Sequence, residues 1–385
     1  MLEENRPNYN LELLNFSKSI FHSASLENIC IISVQHLLGT VSEMFTSWLD
    51  LGLKAENIHV LGKCYSSNKE VIEEMEAKGI QVSPYSSAYH SHIAYDDIFD
   101  ELVRGFLKSR LDRCSSFERI ILLDDGGHLI DIATEICGDE ANRIVGVEQT
   151  TSGYEKLKNR RLKFPVINVA KSEVKSKYEP DWVSRVIIDK TFEKLSKEPE
   201  RILIAGRGTI GSSIHSILSN KYDVQFWDIK NPTFPIDNIL QRADLIFGCT
   251  GNVSITHNKH RFLKQGCVLS SGSSSDREFD SVHLRRQFPA SRDCHADFDN
   301  GQFTLLNSGF PVNFTGGAHS VPPEQIRLIR ALITIGTLQA AGLTSGAEGI
   351  IELDKTHQNT LIKKWEEIQN RPHLDKQRLL DPYAT

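Results

Sequence analysis

The sequence predicts an α/β protein built from two doubly wound domains with a cleft between them. Three features indicate this fold class. Short apolar runs of strand length alternate with helical stretches between residues 28 and 169, a second series of the same kind begins at residue 201, and a polar stretch separates the two series. Runs that are apolar on both faces are typical of strands in a parallel sheet with helices on both sides.

The first series predicts the strands of the first domain. We assign residues 1–184 to this domain and expect residues 320–345 to return to it and complete it. A segment of this length can bury its own hydrophobic core. The predicted strands cover residues 29–33, 58–61, 80–82, 120–123, 144–147 and 166–169.

The second series predicts a second domain over residues 185–319. Pro322 and Pro323 follow it and begin an apolar helix over residues 324–343, because proline is favoured in the first turn of a helix. We expect this helix to be buried between the domains, with a hinge before it and a C-terminal extension over residues 346–385. The predicted strands of the second domain cover residues 201–205, 224–226, 245–247 and 268–269.

Composition and charge restrict the partners that the chain can bind. Its 385 residues include 44 basic and 50 acidic side chains, a net charge of −6, and no block of like charge, so we expect no nucleic-acid partner. The first residues lack the basic and apolar regions of a secretion signal, and no apolar run approaches the roughly 18 residues that a membrane span needs. We therefore expect a cytoplasmic protein without a membrane partner.

The seven cysteines stand at irregular spacings, without a C-x-x-C pair. This pattern predicts free thiols in a reducing compartment and no metal site. Cys294 and His295 could form a nucleophile and base, but adjacent side chains rarely face each other. The sequence therefore argues against such a pair.

A glycine-rich motif follows the first predicted strand of the second domain. The strand run leads into G-x-G-x-x-G and then into a helical pattern, which together indicate a Rossmann-like dinucleotide site. Asp228 lies twenty residues after Gly208, where a carboxylate would accept from the adenosine ribose and repel a 2′-phosphate, so NAD is favoured over NADP. The predicted cofactor residues are Gly206, Gly208, Thr209, Ile210, Gly211 and Asp228.

A second polar motif, Asp124-Asp125-Gly126-Gly127, follows a predicted strand of the first domain. Ligands of open α/β sheets bind outside the carboxyl ends of the strands, so site residues belong at this position. A simple polar turn would give the same pattern, and the motif alone leaves both interpretations open.

The order of several motifs resembles S-adenosyl-L-homocysteine hydrolase, the adenosylhomocysteinase family, over roughly residues 28–343. The segments that carry the resemblance are residues 124–127, 146–153, 164–169, 175–179, 206–211, 250–252 and 311–319. The family holds NAD and uses it as a catalyst, oxidising a ribose 3′-hydroxyl transiently so that the 5′ thiol can be eliminated. The resemblance implies a homo-oligomeric hydrolase of one-carbon metabolism, acting on adenosylhomocysteine or a related nucleoside or sugar derivative.

The resemblance also implies individual site residues. Lys175 matches the lysine beside the 3′-hydroxyl, and Asp125 matches a substrate-binding carboxylate. The implied catalytic residues are Lys175, Asp125, His36, His319 and Glu179. The implied substrate contacts are Glu148 and Gln149, and the further NAD contacts are Thr250, Gly251, Asn252 and Asn313.

Some positions depart from the family pattern. Gln149 and Ser273 replace ionisable family residues, and Pro180 replaces an asparagine. Leu38 and Thr40 stand at the adenine-side threonine and glutamate, with Glu43 one helical turn further on as an alternative carboxylate. Two other functions therefore remain open, a non-catalytic NAD-binding regulatory homologue and an NAD-dependent dehydrogenase that releases NADH.

Overall fold

The computed structural model describes residues 9–21, 25–114, 116–228, 235–344 and 346–370. In this part of the chain two parallel-dominated sheets are flanked by helices. The predicted α/β class with two Rossmann-like units is confirmed. None of the helices within these ranges has the length and apolar composition needed to cross a bilayer.

The first sheet holds seven strands in the described part of the chain, and neighbouring strands all run parallel. Each of the six strands predicted for this domain lies in it. The strands are β1 (Ile29–Leu37), β2 (Ile58–Ser67), β3 (Gln81–Val82), β4 (Arg119–Asp124), β5 (Ile144–Glu148), β6 (Val166–Asn168) and β13 (Ile350–Glu352), in the spatial order β13-β6-β5-β4-β1-β2-β3.

Helices connect these strands and lead to the second sheet. The segment predicted as a C-terminal extension contributes β13 at the sheet edge, and its residues 371–385 lie outside the described residues. The predicted boundary at residue 184 falls inside α8. The helices are α1 (Tyr9–Ser19), α2 (Gly39–Trp48), α3 (Lys69–Ala77), α4 (Tyr95–Leu111), α5 (His128–Ile136), α6 (Thr151–Leu157), α7 (Glu173–Lys177) and α8 (Glu179–Phe192).

The second sheet holds six strands in the described ranges. Neighbouring strands run parallel except that the edge strand β11 is antiparallel to β12. Its elements are β7 (Arg201–Ala205), α9 (Thr209–Leu218), β8 (Asp223–Trp227), α10 (Ile236–Leu240), β9 (Leu245–Gly248), β10 (Cys267–Ser271), α11 (Ser281–Arg285), β11 (Phe298–Asp299) and β12 (Phe303–Leu305), in the spatial order β11-β12-β10-β9-β7-β8.

The long helix after the two prolines, α12 (Pro323–Ala341), is buried almost all round. It packs against β4, β5 and β6 on one side and against α1, α2 and α13 (Lys355–Gln369) on the other. The indole of Trp48 donates to the Thr334 hydroxyl across the α2–α12 contact, at 3.0 Å. The helix is thus part of the first domain's core, and the expected burial between the domains is corrected.

The structure joins Cys30 and Cys114 in a disulfide with a Cα–Cα distance of 6.2 Å. The expectation that all seven cysteines are free thiols is therefore wrong for this pair. The sequence could not reveal it because 84 residues separate the two cysteines. Within the described residues the other cysteines are free thiols, namely Cys64, Cys137, Cys249, Cys267 and Cys294.

We expect Leu332→Ala to destabilise the first domain more than any surface substitution on α12. The Leu332 side chain is wholly buried, so truncation removes apolar contacts and leaves a cavity, at a cost of about 2–5 kcal/mol. The matched control is Glu324→Ala, an exposed first-turn residue whose loss costs no more than about 1 kcal/mol. Urea unfolding followed by tryptophan fluorescence measures both. Equal midpoints would contradict this packing.

Candidate functional site

A buried carboxylate, Asp125, lies at the carboxyl edge of the first sheet, directly after β4. Lys63 of β2 donates from Nζ to its Oδ1, and Gln149, which follows β5, donates from Nε2 to its Oδ2. His36 of β1 places Nε2 3.3 Å from Oδ1. Four neighbouring strands therefore bring polar side chains to one point, and the sequence-predicted residues Asp125, His36 and Gln149 meet there.

The charges of this cluster result from a competition between burial and the attraction of opposite charges. Burial alone would raise the pKa of Asp125, but the Lys63 ammonium and the His36 imidazole hold that pKa well below its usual range. Burial would lower the pKa of Lys63, but Asp125 raises it above its usual value. Burial lowers the pKa of His36, and Asp125 opposes that effect only in part. The cluster therefore contains an anion, a cation and a neutral imidazole near neutral pH.

The ring of His36 is fixed from both sides. Its Nδ1 lies 2.5 Å from the Ser66 hydroxyl oxygen, and its face stacks on Phe314 with ring centroids 4.5 Å apart. Phe314 belongs to the segment that leads from the second sheet back to the first domain. The predicted hinge thus contacts the site directly.

Two further acids, Asp124 and Glu148, end the paired strands β4 and β5. Glu148 Oε1 accepts from the Thr150 amide and hydroxyl, both at 2.7 Å, and from the Gly126 amide at 3.3 Å. Among the described residues, neither Asp124 Oδ1 nor Glu148 Oε2 has a hydrogen-bond partner. Burial raises the pKa of Asp124 to about 6, and burial together with the Asp124 charge raises that of Glu148 well above its usual value. Glu148, predicted as a substrate contact, accepts hydrogen bonds from the loops after both strands.

The glycines of the D-D-G-G motif have a geometric reason. Gly127 has φ +73°, and a Cβ added there would lie 2.8 Å from the Cα of Gly153. A Cβ on Gly153 would in turn collide with the Glu148 carboxylate. The loops after β4 and β5 therefore pack backbone against backbone, which explains why both positions are glycine.

Two further predicted residues, Lys175 and Glu179, form an ion pair with each other. Lys175 on α7 donates to Glu179, with 2.6 Å between Nζ and Oε1, and both side chains are mostly buried. Arg330, a buried residue of α12 that was not predicted from the sequence, is acted on by the charges of Asp125, Glu179 and Glu43. The Arg330 guanidinium therefore lies within electrostatic range of both Asp125 and Glu179.

Three further residues that the sequence singled out, Thr40, Glu43 and His319, lie in or beside α2. Arg330 donates from Nε to the Thr40 hydroxyl at 3.2 Å, and Arg327 binds the Glu43 carboxylate through two 3.0 Å hydrogen bonds. His319 is exposed, and a Cβ added to Gly39 would lie 2.8 Å from its ring. His319 therefore covers the start of α2 at the rim of the site.

The G-x-G-x-x-G turn joins β7 to α9 in the second domain. Gly206 has φ +106°, and a Cβ there would lie 2.6 Å from the Cys249 carbonyl oxygen. By contrast, a Cβ on Gly208, at the amino end of α9, would meet no described atom within 4 Å. Asp228 follows β8 and accepts from the Arg207 amide at 3.1 Å. The protein therefore leaves no room for a side chain at Gly206, whereas the space beside Gly208 is free of described atoms.

The loop of Thr250, Gly251 and Asn252 follows β9 at the same edge. A buried residue that the sequence analysis missed, Glu278, accepts from the Thr250 and Gly251 amides, both at 2.6 Å. Burial raises the pKa of Glu278. Asn313, also buried, follows the bridge between Ser271 of β10 and Pro311, so it too lies at this edge.

Polar contacts join the two domains. Arg285 of α11 is wholly buried and donates to the Ser91 carbonyl at 2.8 Å. His295 lies 3.0 Å from the Tyr65 carbonyl through Nε2 and 3.6 Å from Cys294 Sγ through Nδ1. Hydrogen bonds from Cys64 and His295 lower the pKa of Cys294. Contrary to the sequence argument, the adjacent Cys294 and His295 side chains do face each other.

Comparison with known proteins shows distant relatives of this chain. No family model matches the chain. Uncharacterized proteins from two strains of Mycobacterium tuberculosis are 38% identical over 329 residues, which cover 82% of this chain and 65% of theirs. S-inosyl-L-homocysteine hydrolase of Methanopyrus kandleri is 26% identical over 263 residues, covering 60% of this chain and 62% of that protein. The chain is a distant relative of that hydrolase.

The chain spans less than two thirds of the length of each of these relatives. Among solved structures, a dipicolinate synthase chain from Bacillus halodurans matches 83% of this chain and 99% of its own, with 10% identity and a TM-score of 0.41. The bifunctional FolD methylenetetrahydrofolate dehydrogenase/cyclohydrolase from Campylobacter jejuni matches 86% of this chain and 93% of its own, with 15% identity and a TM-score of 0.25. The fold assignment therefore depends on the two sheets described above.

We expect Glu148→Gln to stabilise the protein increasingly as the pH rises. The folded pKa of Glu148 is raised above its ordinary value of 4.5, so the folded state keeps a proton that the unfolded chain releases. The wild type therefore loses stability as the pH rises from about 4.5 through the folded pKa. An amide carries no charge to desolvate and keeps the oxygen that Thr150 contacts.

Thermal unfolding between pH 4 and pH 9 measures this difference. The melting temperature of Glu148→Gln minus that of the wild type should grow with pH. The matched control is Glu56→Gln at an exposed position, which should give a flat difference. A difference that shrinks with rising pH would mean that Glu148 is ionised in the folded state.

Proposed function

We propose that the chain is an NAD-dependent enzyme that acts on a nucleoside joined through a thioether to homocysteine. The observation that carries this proposal is the pairing of a buried Asp125–Lys63–His36 cluster on the first sheet with an open Gly208 turn on the second. The distant relationship to S-inosyl-L-homocysteine hydrolase supports the same class of substrate.

The residues of the second domain fit NAD. The open space at Gly208 would admit a pyrophosphate, which the amino end of the ten-residue helix α9 would stabilise. Asp228 would accept from the adenosine ribose, and Thr250, Gly251, Asn252 and Asn313 would hold the nicotinamide half. When bound, NAD would supply a reversible two-electron oxidation of a ribose hydroxyl.

The first domain would manage protons. In its neutral form Lys175 would accept the proton of the ribose hydroxyl at Nζ, and Glu179 would hold that nitrogen in position. Asp125 would remain ionised because the Lys63 ammonium balances its charge without giving up its own proton, so the Asp125 oxygens would accept from substrate hydroxyls. The neutral imidazole of His36 would be able to exchange a proton beside it.

The residues around α2 favour an oxygen-bearing base over an amino-bearing base. By the family resemblance, Leu38 and Thr40 occupy the adenine side. Arg330 offers only donors there, and the carboxylate of Glu43 is engaged by Arg327. An exocyclic amine needs an acceptor, whereas a 6-oxo group accepts. Hypoxanthine, the base of an S-inosyl compound, is therefore the better match.

A non-catalytic NAD-binding regulator is the second candidate. It is favoured by Gln149, which cannot take a proton and which bonds both Asp125 and Gln35, the latter at 3.0 Å. Such a network is satisfied without a substrate.

The predicted NAD site can be tested with Gly208→Ala. Since a Cβ there meets no described atom and the backbone angles suit any residue, folding should be unaffected. The methyl group would obstruct the pyrophosphate, and we expect the Kd for NAD to rise at least about tenfold, a loss of about 1.4 kcal/mol. The control is Gly105→Ala on α4, which likewise meets no described atom. Calorimetry that gives both variants wild-type affinity would contradict the assignment.

The proposed chemistry can be tested with Lys175→Ala. S-inosyl-L-homocysteine should reduce NAD bound to the wild type, seen as reduced-nicotinamide absorbance, and S-adenosyl-L-homocysteine should do so more slowly. The variant should lose this signal while still binding NAD, because the hydroxyl proton loses its acceptor. Lys177→Ala, an exposed lysine on the same helix, should behave as the wild type. Absence of NAD reduction by either compound would favour the regulator.

A further inference from the structure

A second cluster of reactive side chains lies at the opposite end of the first sheet from Asp125. Cys30 and His59 are the second residues of β1 and β2, whereas His36 and Lys63 lie further towards the carboxyl ends of the same strands. His59 pairs with Ile32, two positions along from Cys30, so Cys30 and His59 point to the same face. The 3₁₀ turn after α4 brings Cys114 to that face.

The three side chains form a compact set of metal-ligand atoms. Both sulfur atoms and one ring nitrogen of His59 lie within 4.8 Å of one another. Cys30 and Cys114 are wholly buried, and His59 is 6% exposed. No described residue forms a hydrogen bond with Nδ1 of His59. Buried polar atoms without partners are uncommon, and a bound ion is one of their recognised explanations.

The charges around the cluster suit thiolates. The positive charges of Arg110 and Arg113 act on His59, and no described acceptor binds the buried Nε of Arg110. A disulfide and a neutral imidazole offer these cations no compensating negative charge. Two thiolates would supply that negative charge. Binding one Cu⁺ would then leave the three-ligand site with a net charge of −1 beside the arginines. Zn²⁺ would leave it neutral and would also prefer a fourth ligand.

We propose that Cys30, His59 and Cys114 bind one Cu⁺ ion in the reduced protein. A thiol or phosphine reductant supplies two electrons, which together with two protons convert the disulfide to two thiols. The ion then replaces both protons and bonds to two sulfurs and one imidazole nitrogen. Soft thiolate ligands select Cu⁺ over harder ions, and the dry surroundings protect it from water. This site is separate from the proposed function, because its residues lie away from the Asp125 edge.

The test is an anaerobic titration of phosphine-reduced, metal-free full-length protein with Cu⁺ against a colorimetric Cu⁺ chelator. We expect one tightly held ion per chain, with X-ray absorption giving two sulfur neighbours and one nitrogen neighbour. His59→Gln and Cys30→Ser should each weaken binding at least about tenfold, since even residues that only support metal ligands have effects of that size. If a variant fails to fold, X-ray absorption of the wild type still tests whether the ion has two sulfur neighbours and one nitrogen neighbour.

The matched control is the double variant Cys64→Ser with Cys294→Ser, which removes the other described pair of neighbouring thiols. It should hold Cu⁺ as the wild type does. Failure of the reduced wild type to compete with the chelator would overturn the proposal. Loss of binding in the control variant, or tight binding of Zn²⁺ but not Cu⁺, would overturn it equally.

Discussion

The carboxylate of Asp125 is an anion with almost no water around it, and the first domain is arranged so that it can remain charged. Loss of one partner from a buried ion pair of this kind costs about 3–5 kcal/mol, because the remaining charge is left uncompensated. Lys63 supplies the opposite charge, and Gln149 and His36 complete the contacts. Because these side chains come from adjacent parallel strands, the sheet register itself determines the site. Burial instead raises the pKa values of the neighbouring acids Asp124 and Glu148, so these two groups take up protons more readily than exposed carboxyls.

Much of the fold follows from patterns that the sequence makes visible. Runs that are apolar on both faces predict buried strands, and the glycine motif at Gly206 predicts a turn between a strand and a helix. A short edge strand such as β13 cannot be recognised in this way, because its three residues are all at least partly exposed and show no alternation of apolar and polar side chains. The elements that pack against α12 could not be predicted either, because the apolar composition of a helix does not show which elements surround it. Only the three-dimensional contacts place it on the first sheet.

The site was predictable where a residue belongs to a motif and hidden where it acts from a distance. Asp125 belongs to a recognised motif, and the family resemblance implied His36 by its position alone. Lys63 and Arg330, which stand among apolar residues, were not predicted. A lone charged residue within an apolar run is itself a signal, because burial of an unpaired cation is rare. Glu278 gave no comparable signal, since the amides that it binds lie 27 and 28 residues earlier in the chain.

The stacking of Phe314 on His36 links the chain's return segment to the chemistry of the first sheet. The aromatic ring covers one face of the imidazole, and burial of the imidazole is the main cause that lowers the pKa of His36. A displacement of the segment wide enough to admit a nucleoside would hydrate the ring and make it more basic. On the proposed function, entry of a ligand past Phe314 would therefore be coupled to uptake of a proton by His36.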